Sequence, residues 1–352
     1  MKKTILLTGA TGYIGSHTWC TLIEAGYNVI GLDNLCNSAV GVVDRISQIT
    51  GNSPTFIEGD VRDKALVDAV FSQNKIDAVI HFAALKAVGE SVANPLAYYN
   101  TNLNGLLNVC STMAAHAVKT LVFSSSATVY GDPESIPIKE DAPLKATNPY
   151  GHTKLMSEQM LRDLEHSDND WRIAYLRYFN PVGAHESGLI GESPRGIPNN
   201  LMPYVAQVAV GKLEKLRVYG GDYPTQDGTG VRDYIHVMDL AEGHVSALSH
   251  LLNRDASNSS SFTINLGSGQ GISVLEVIQA YEKASGRPIP YDIVARRPGD
   301  VPAYYADPSL AATILDWHAT RGIDAICADS WRWQNMNPNG IVDTRPIIER
   351  LE

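Results

Sequence analysis

Short apolar runs alternate with longer stretches patterned for helix, and this rhythm holds through the first half of the chain. Thr4 to Thr8, Asn28 to Leu32, Thr55 to Ile57, Asp77 to Ala84, Leu121 to Ser126 and Ile173 to Phe179 read as strands. Between them the chain reads as helix from the glycine-rich turn over Gly9 to Gly15 to a stop at Gly26, from Pro95 to Ala117, and from Pro149 to His166. Asn148 before the last of these is a good N-cap, and proline is tolerated in a first helical turn. Strand and helix in alternation predict an α/β fold, a doubly wound parallel sheet with helices on both faces.

After Asn180-Pro181 the texture changes. Gly183 to Asn200 and Tyr219 to Gly230 are rich in small and polar residues, as suits binding loops. Tyr234 to Val237 and Phe262 to Leu266 read as short strands, and Ser273-Val274-Leu275-Glu276 is a capping box opening a helix that runs to Gly286. The expected division is a first domain over 1–180, to which a strand near 262–267 returns, and a smaller α+β lobe over 181–352.

Candidate chemistry collects at the carboxyl ends of the strands, where ligands sit in such sheets. Gly9-Ala10-Thr11-Gly12-Tyr13-Ile14-Gly15 follows the first strand. Its glycines permit a tight turn and close approach to a pyrophosphate at a helix N-terminus. The spacing is not G-x-G-x-x-G and lacks the lysine of a Walker loop, and a glycine-rich turn by itself can be only a turn. Asp33 closes the second strand 18 positions beyond Gly15, close to the ~20 expected of a carboxylate that binds an adenosine ribose. A carboxylate there repels a 2′-phosphate, so NAD is expected rather than NADP. Asp60, after the third strand, is suited to an adenine amine. The fourth strand opens into Phe82-Ala83-Ala84, beside which a cofactor fits, while His81 is assigned to the core.

The fifth strand ends in Ser124-Ser125-Ser126, and Tyr150 and Lys154 follow four apart in the next helix. Residues so spaced share a face. An ammonium beside the phenol is expected to pull its pKa from ~10 toward neutrality. Tyr150 would then serve as base toward an alcohol whose carbon gives up hydride, with the Ser126 hydroxyl completing the set. Alone, Tyr-x-x-x-Lys is more often a helix-surface pair; the serine-ended strand and the nucleotide turn set it apart. Arg296-Arg297-Pro298-Gly299-Asp300, with Arg232, forms a local cationic patch suited to a pyrophosphate, although such arginines are often only solvated or salt-bridged.

Composition narrows the field. The 352 residues, 44% of them hydrophobic, suit a large α/β domain with a second lobe. A formal net charge of −10 argues against nucleic acid or an anionic membrane as partner, since either needs clustered Lys and Arg. Cys20, Cys36, Cys110 and Cys327 show no C-x-x-C spacing, which disfavours a zinc site and a disulfide framework and fits a reducing cytoplasm; no metal is expected. Met1-Lys2-Lys3 and the residues after it imitate a signal peptide, but the apolar run stops at Gly9. No run approaches the ~20 apolar residues of a membrane span, and a soluble protein is expected.

Several motifs together carry a closer likeness. They are Thr8-Gly9-Ala10-Thr11-Gly12-Tyr13-Ile14-Gly15-Ser16-His17, Leu32 to Ser38, His81 to Ser91, Ser124 to Gly131, Leu176 to Ala184, Ile197 to Tyr204 and Gly228 to Val237. On these the chain resembles the extended short-chain dehydrogenase/reductases, with their Rossmann-like sheet, and within them the UDP-glucose 4-epimerase family. The first-half motifs mark the superfamily; those of the second half are more specific.

The resemblance implies NAD as cofactor. Its contacts would be Gly9, Gly12, Tyr13, Ile14 and Gly15, Asp33, Asn34, Leu35, Cys36, Asn37 and Ser38, Asp60 and Val61, Phe82, Ala83, Ala84 and Lys86, then Thr101, Ser124, Tyr150, Lys154 and Phe179. Thr101 stands where an Asn is usual. Tyr150 is implied as base, Lys154 as the residue that holds the nicotinamide ribose, and Ser126 as a bridge to the sugar 4-hydroxyl. Lys86, Tyr178, Asn180, Asn200, Leu201, Tyr219, Arg232, Arg297 and Asp300 are implied as nucleotide-sugar contacts. Tyr304 matches a gate beside the hexose, whose bulk implies poor use of N-acetylated sugars. The activity implied is interconversion of UDP-glucose and UDP-galactose through a 4-keto sugar, in a homodimer. Two alternatives remain on the same scaffold: a nucleotide-sugar 4,6-dehydratase, disfavoured because Ala127-Thr128 stand where Asp-Glu is usual, and an NAD-sensing binding protein, which would ordinarily have lost the Tyr or Lys.

Overall fold

A computed structural model describes residues 2–193, 198, 200–253, 261–297 and 299–341. Ile197 and Asn199 of the Ile197-to-Tyr204 motif and Pro298 of the arginine patch lie outside the described residues. Strands β1 (Thr4–Thr8), β2 (Asn28–Asp33), β3 (Thr55–Glu58), β4 (Ala78–His81), β5 (Thr120–Ser126) and β6 (Arg172–Tyr178) come first, followed by β7 (Asn180–Val182), β8 (Leu216–Tyr219), β9 (Val231–His236) and β10 (Phe262–Leu266). The last are β11 (Gly271–Ser273), β12 (Tyr291–Val294) and β13 (Ala303–Tyr304). The main sheet has seven strands in the order β10-β6-β5-β4-β1-β2-β3, and every pairing in it is parallel.

Its strands are apolar on both faces because both faces are covered. Helices α1 (Tyr13–Glu24), α2 (Gly41–Thr50), α3 (Lys64–Gln73), α4 (Val88–Ala93), α5 (Pro95–Tyr99), α6 (Gly105–Ala115) and α7 (Pro149–Ser167) come from the first half and α9 (Val237–Asn253) from the second, while α8 (Leu201–Ala209) packs in the second-half lobe. Ile5 and Leu7 pack with Trp19 and Cys20 of α1 and Leu240 and Leu248 of α9. On the other face Leu6, Val79 and Leu121 pack with Val67 of α3, Leu106 and Met113 of α6 and Leu161 of α7. Gly31 is bare because the Trp19 ring lies on it: a Cβ there would sit 2.2 Å from the indole.

The second half is partly woven into this core. Strand β10 is the edge strand beside β6, as the pattern at Phe262 to Leu266 predicts, and α9 packs along α1. What stands apart is a small sheet in which β9 pairs with β7, β11 and β13, a two-stranded β8–β12 ladder, and helices α10 (Val274–Ser285), α11 (Ser309–Leu315) and α12 (Ile323–Met336), of which α10 and α12 pack around α8. The capping box at Ser273 and Glu276 forms in full, and Gly286 closes α10 in the left-handed region.

Three expectations change. The fourth strand ends at His81, where the bond from the Phe82 amide to the Thr8 carbonyl is the last before the chain leaves the sheet. The helix expected over Pro95 to Ala117 is interrupted at Asn100–Asn104 by a wider π-turn, a feature frequent at functional sites. Buried Asn102 there bonds both ways with the Leu85 backbone and donates to Thr153 Oγ1 at 2.9 Å. Val237 opens α9 instead of closing the strand before it, because β9 runs into that helix without a loop. Among the described residues no helix is long and apolar enough to cross a membrane.

Candidate active site

The strand order reverses between β4 and β1, the crevice where ligands bind in open α/β sheets. A cleft of about 1300 Å³ opens there and continues toward the second-half loops. The glycine-rich turn forms one end. Gly9 has φ +68° and a Cβ on it would lie 2.8 Å from the Ala83 amide; one on Gly15 would lie 2.1 Å from the Gly9 carbonyl. No side chain caps the N-terminus of α1, which leaves that end of the helix to an anion.

The Asp33 carboxylate accepts from the Thr11 amide at 3.1 Å and the Leu35 amide at 2.8 Å, so the strand-end acid is fixed by backbone donors. Asp60 takes a two-pronged contact from Arg62 and a third bond from Asn34 Nδ2, which hold its carboxyl down at about 2. Asn37, Ser38, Cys36, Val61, Phe82, Ala83, Ala84, Lys86 and Thr101 line the same end. Leu35 does not: it turns into the core, 5% exposed, with φ +58°.

At the cleft floor the expected cluster is assembled, with one change in its electrostatics. Helix α7 starts where Asn148 Oδ1 accepts from the Gly151 amide, and this cap sets Tyr150 and Lys154 on the cleft-facing side. The ammonium, however, is drawn away from the phenol. Lys154 Nζ donates to the Ser124 carbonyl at 2.5 Å and lies 3.2 Å from Ser124 Oγ, 6.0 Å from the Tyr150 ring centre. The Tyr150 phenol does not show the expected fall: burial pushes it up, and hydrogen bonding with Ser126 pulls it back. Ser126 is prepared for that bond. Its oxygen accepts from both the Thr128 amide and the Thr128 hydroxyl, at 3.2 and 3.0 Å, leaving its own proton to point elsewhere.

Burial lowers Lys154 to about 7, with the Glu158 carboxylate one turn on acting against that fall. The linkage has a definite sign. Below pH 7 both folded and unfolded chains carry the charge, and the fold bears the whole cost of burying it. From there toward the ordinary 10.5 the unfolded chain keeps a proton that the folded chain has lost, so stability rises with pH. We expect Lys154→Met to raise the melting temperature of the cofactor-free protein clearly at pH 6 and much less at pH 10. A pH-independent gain would contradict the assignment.

The second-half residues complete the cleft. Asn180, Asn200, Leu201, Tyr219, Arg232, Arg297, Asp300, Tyr178 and Phe179 all line it. The arginines are anchored: Arg297 Nε meets Asp300 at 2.9 Å with its guanidinium over the Tyr219 ring, and Arg232 lies 3.6 Å from the same carboxylate. Arg296 instead pairs with Asp222 and stacks on Tyr223. Tyr304 is not on the cleft wall; its hydroxyl donates to the Ala127 carbonyl at 2.5 Å and its ring backs Phe179 at 5.6 Å. Two groups have no distinguishing sequence signal: His244, whose Nε2 accepts from the expected contact residue Tyr178 at 2.7 Å while its Nδ1 donates to the Leu240 carbonyl, and Glu192, which enters the cleft from a loop read only as small and polar. Among the described residues no group of three or more His, Cys, Asp or Glu side chains could hold a metal ion.

A doubly wound parallel sheet with a Tyr-x-x-x-Lys helix and a serine-ended strand on the cleft at its switch point defines the class, an extended short-chain dehydrogenase/reductase. Residues 6–330 match the family model described as GDP-mannose 4,6 dehydratase. A UDP-glucose 4-epimerase of Bacillus subtilis is 60% identical over 336 residues, 96% of this chain and 98% of that one. A solved UDP-glucose 4-epimerase from Bifidobacterium longum, in complex with NAD+ and UDP, is 56% identical with a TM-score of 0.91, covering 96% of this chain and all of that one. One from Stenotrophomonas maltophila with bound NAD and formylated UDP-arabinopyranose is 50% identical with a TM-score of 0.93, covering 96% and 99%. The chain belongs to the UDP-glucose 4-epimerase family.

Proposed function

We propose that the protein interconverts UDP-glucose and UDP-galactose with NAD as resident cofactor. The observation that carries this reading is the cluster of Tyr150, Ser126 and Lys154 on the floor of one cleft, between a bare glycine turn and an arginine-rich wall. The turn fits the cofactor's pyrophosphate, since no side chain caps α1, and Asp33 and Asp60 fit its ribose and adenine. Bound there, NAD would accept hydride from sugar C4 and return it. Lys154 and Ser124 face the same floor and would orient the nicotinamide end.

The chain's own part is to move one proton and hold one anion. Tyr150 would take the proton of the sugar 4-hydroxyl and give it back after the 4-keto sugar has turned over, with Ser126 donating to the phenolic oxygen meanwhile. Inversion needs a hexose held loosely by a nucleotide held firmly, so Asn180, Asn200, Arg232 and Arg297 would supply most of the binding energy far from the reacting carbon. The positions after Ser126, Ala127 and Thr128, carry no acid to expel water, which argues against the dehydratase. UDP-galactose given to the protein without added NAD should yield UDP-glucose with no net absorbance change at 340 nm. A 4-keto-6-deoxy product, or no turnover, would refute this reading.

For the sugar gate we infer that Tyr304 acts from behind, by supporting Phe179. Tyr304→Cys opens space there, and we expect it to admit UDP-N-acetylgalactosamine; continued exclusion of that sugar would remove the gate. We assign a homodimer, supported by exposed Val92, Leu96, Leu107 and Met156 on helices of one region, and a cytoplasmic setting, which suits four cysteines without C-x-x-C spacing.

A further inference from the structure

One carboxylate in the cleft has no part in the proton transfer. The Glu192 backbone is clamped: its carbonyl accepts from Trp333 Nε1 at 3.1 Å, and Gly191 lies so close to the Trp333 face that a Cβ would sit 2.4 Å from the ring. Only the side chain is free to change, and it points across the cleft. Glu192 Oε1 accepts from Lys86 Nζ at 3.4 Å and from Asn200 Nδ2 at 3.2 Å. Lys86 follows β4 of the main sheet and Asn200 stands at the start of α8, so the contact ties the two walls together. The carboxylate is 13% exposed while Lys86 is 47% exposed, and the Tyr13 phenol is pushed up first by burial and then by this charge. A single anion thus occupies two of the donors that face the cleft, where Arg232 and Arg297 already share Asp300.

We propose that Glu192 is an internal substitute for ligand phosphate, holding Lys86 and Asn200 until a nucleoside diphosphate displaces it, and so taking back part of the diphosphate affinity that the cleft's other donors supply. The inference rests on the reading that this cleft takes a UDP-sugar. An incoming diphosphate must break two contacts to a charged acceptor and then lie near a like charge, both of which weaken its binding. A nucleotide held firmly by the arginines, but short of the full affinity the cleft could give, suits turnover because product must leave in every cycle.

Glu192→Gln keeps the shape and removes the charge. Titrating UDP and, separately, uridine into the holoenzyme by calorimetry should give a UDP Kd lowered about tenfold in the variant, on the scale of charge-pair effects in binding. Uridine, which has no phosphate, should bind both forms alike, and that equality also certifies the fold of the variant. An unchanged or raised Kd for UDP, or an equal gain for uridine, would overturn the inference while leaving the epimerase reading intact. A parent protein that binds no UDP would overturn both.

Discussion

Tyr150→Phe should lower turnover of UDP-galactose by roughly 10²- to 10⁴-fold, the range of a positioned acid or base, while NAD content stays at the parent level. The substitution removes one oxygen from a side chain whose ring position is set by α7, so the cleft keeps its shape. What is lost is the hydroxyl on the floor that Ser126 is arranged to support, with both lone pairs of Ser126 engaged by Thr128. No other described group there replaces it: the Tyr178 hydroxyl is tied to His244, and Lys154 is tied to Ser124. Measuring kcat together with cofactor content separates loss of the base from loss of the cofactor. Near-parental kcat would show that another group moves the proton.

The largest effect on stability is expected at Arg177, which is 2% exposed and forks onto Glu158, 1% exposed, at 2.9 and 2.6 Å. Ser125 donates to the same carboxylate at 2.5 Å, and Arg177 also reaches the Tyr130 hydroxyl and the Glu140 carbonyl, each at 3.0 Å. Removing Arg177 leaves the buried Glu158 charge to Ser125 and to the half-exposed Arg162 guanidinium 3.5 Å away, a weaker pairing, at a cost of up to about 3–5 kcal/mol. Arg177→Met should therefore lower the melting temperature by on the order of 10 °C in a chain of this size. The double variant Arg177→Met with Glu158→Leu should recover part of that loss, since it removes the orphaned charge. A single variant melting within a degree of the parent would mean that water or a rearranged partner satisfies Glu158. The pair also reaches the active site through one helix: Glu158 is a turn beyond Lys154 and supports its charge. Loss of Arg177 should accordingly disturb the floor of the cleft as well as the fold.

Local order decided what could be read without coordinates. The run of residues that must be apolar on both faces, the glycines at Gly9 and Gly15, the Asn148 cap and the capping box at Ser273 are constraints between near neighbours, and each is written in a few consecutive positions. So is the spacing that turns Tyr150 and Lys154 to one side of α7. Tertiary structure decided where their polar ends went. Lys154 found a carbonyl 30 positions away in sequence, Arg177 found Glu158 across the helix–sheet boundary, and Glu192 reached Lys86 over 106 positions. Tyr304 ended behind Phe179, because a backbone carbonyl at Ala127 took its hydroxyl. The reason is physical: periodicity reports which face of an element is buried, whereas the partner of a buried charge or hydroxyl depends on which distant strand end or loop arrives beside it. A buried polar group left without a partner costs more than a short-range preference can offset.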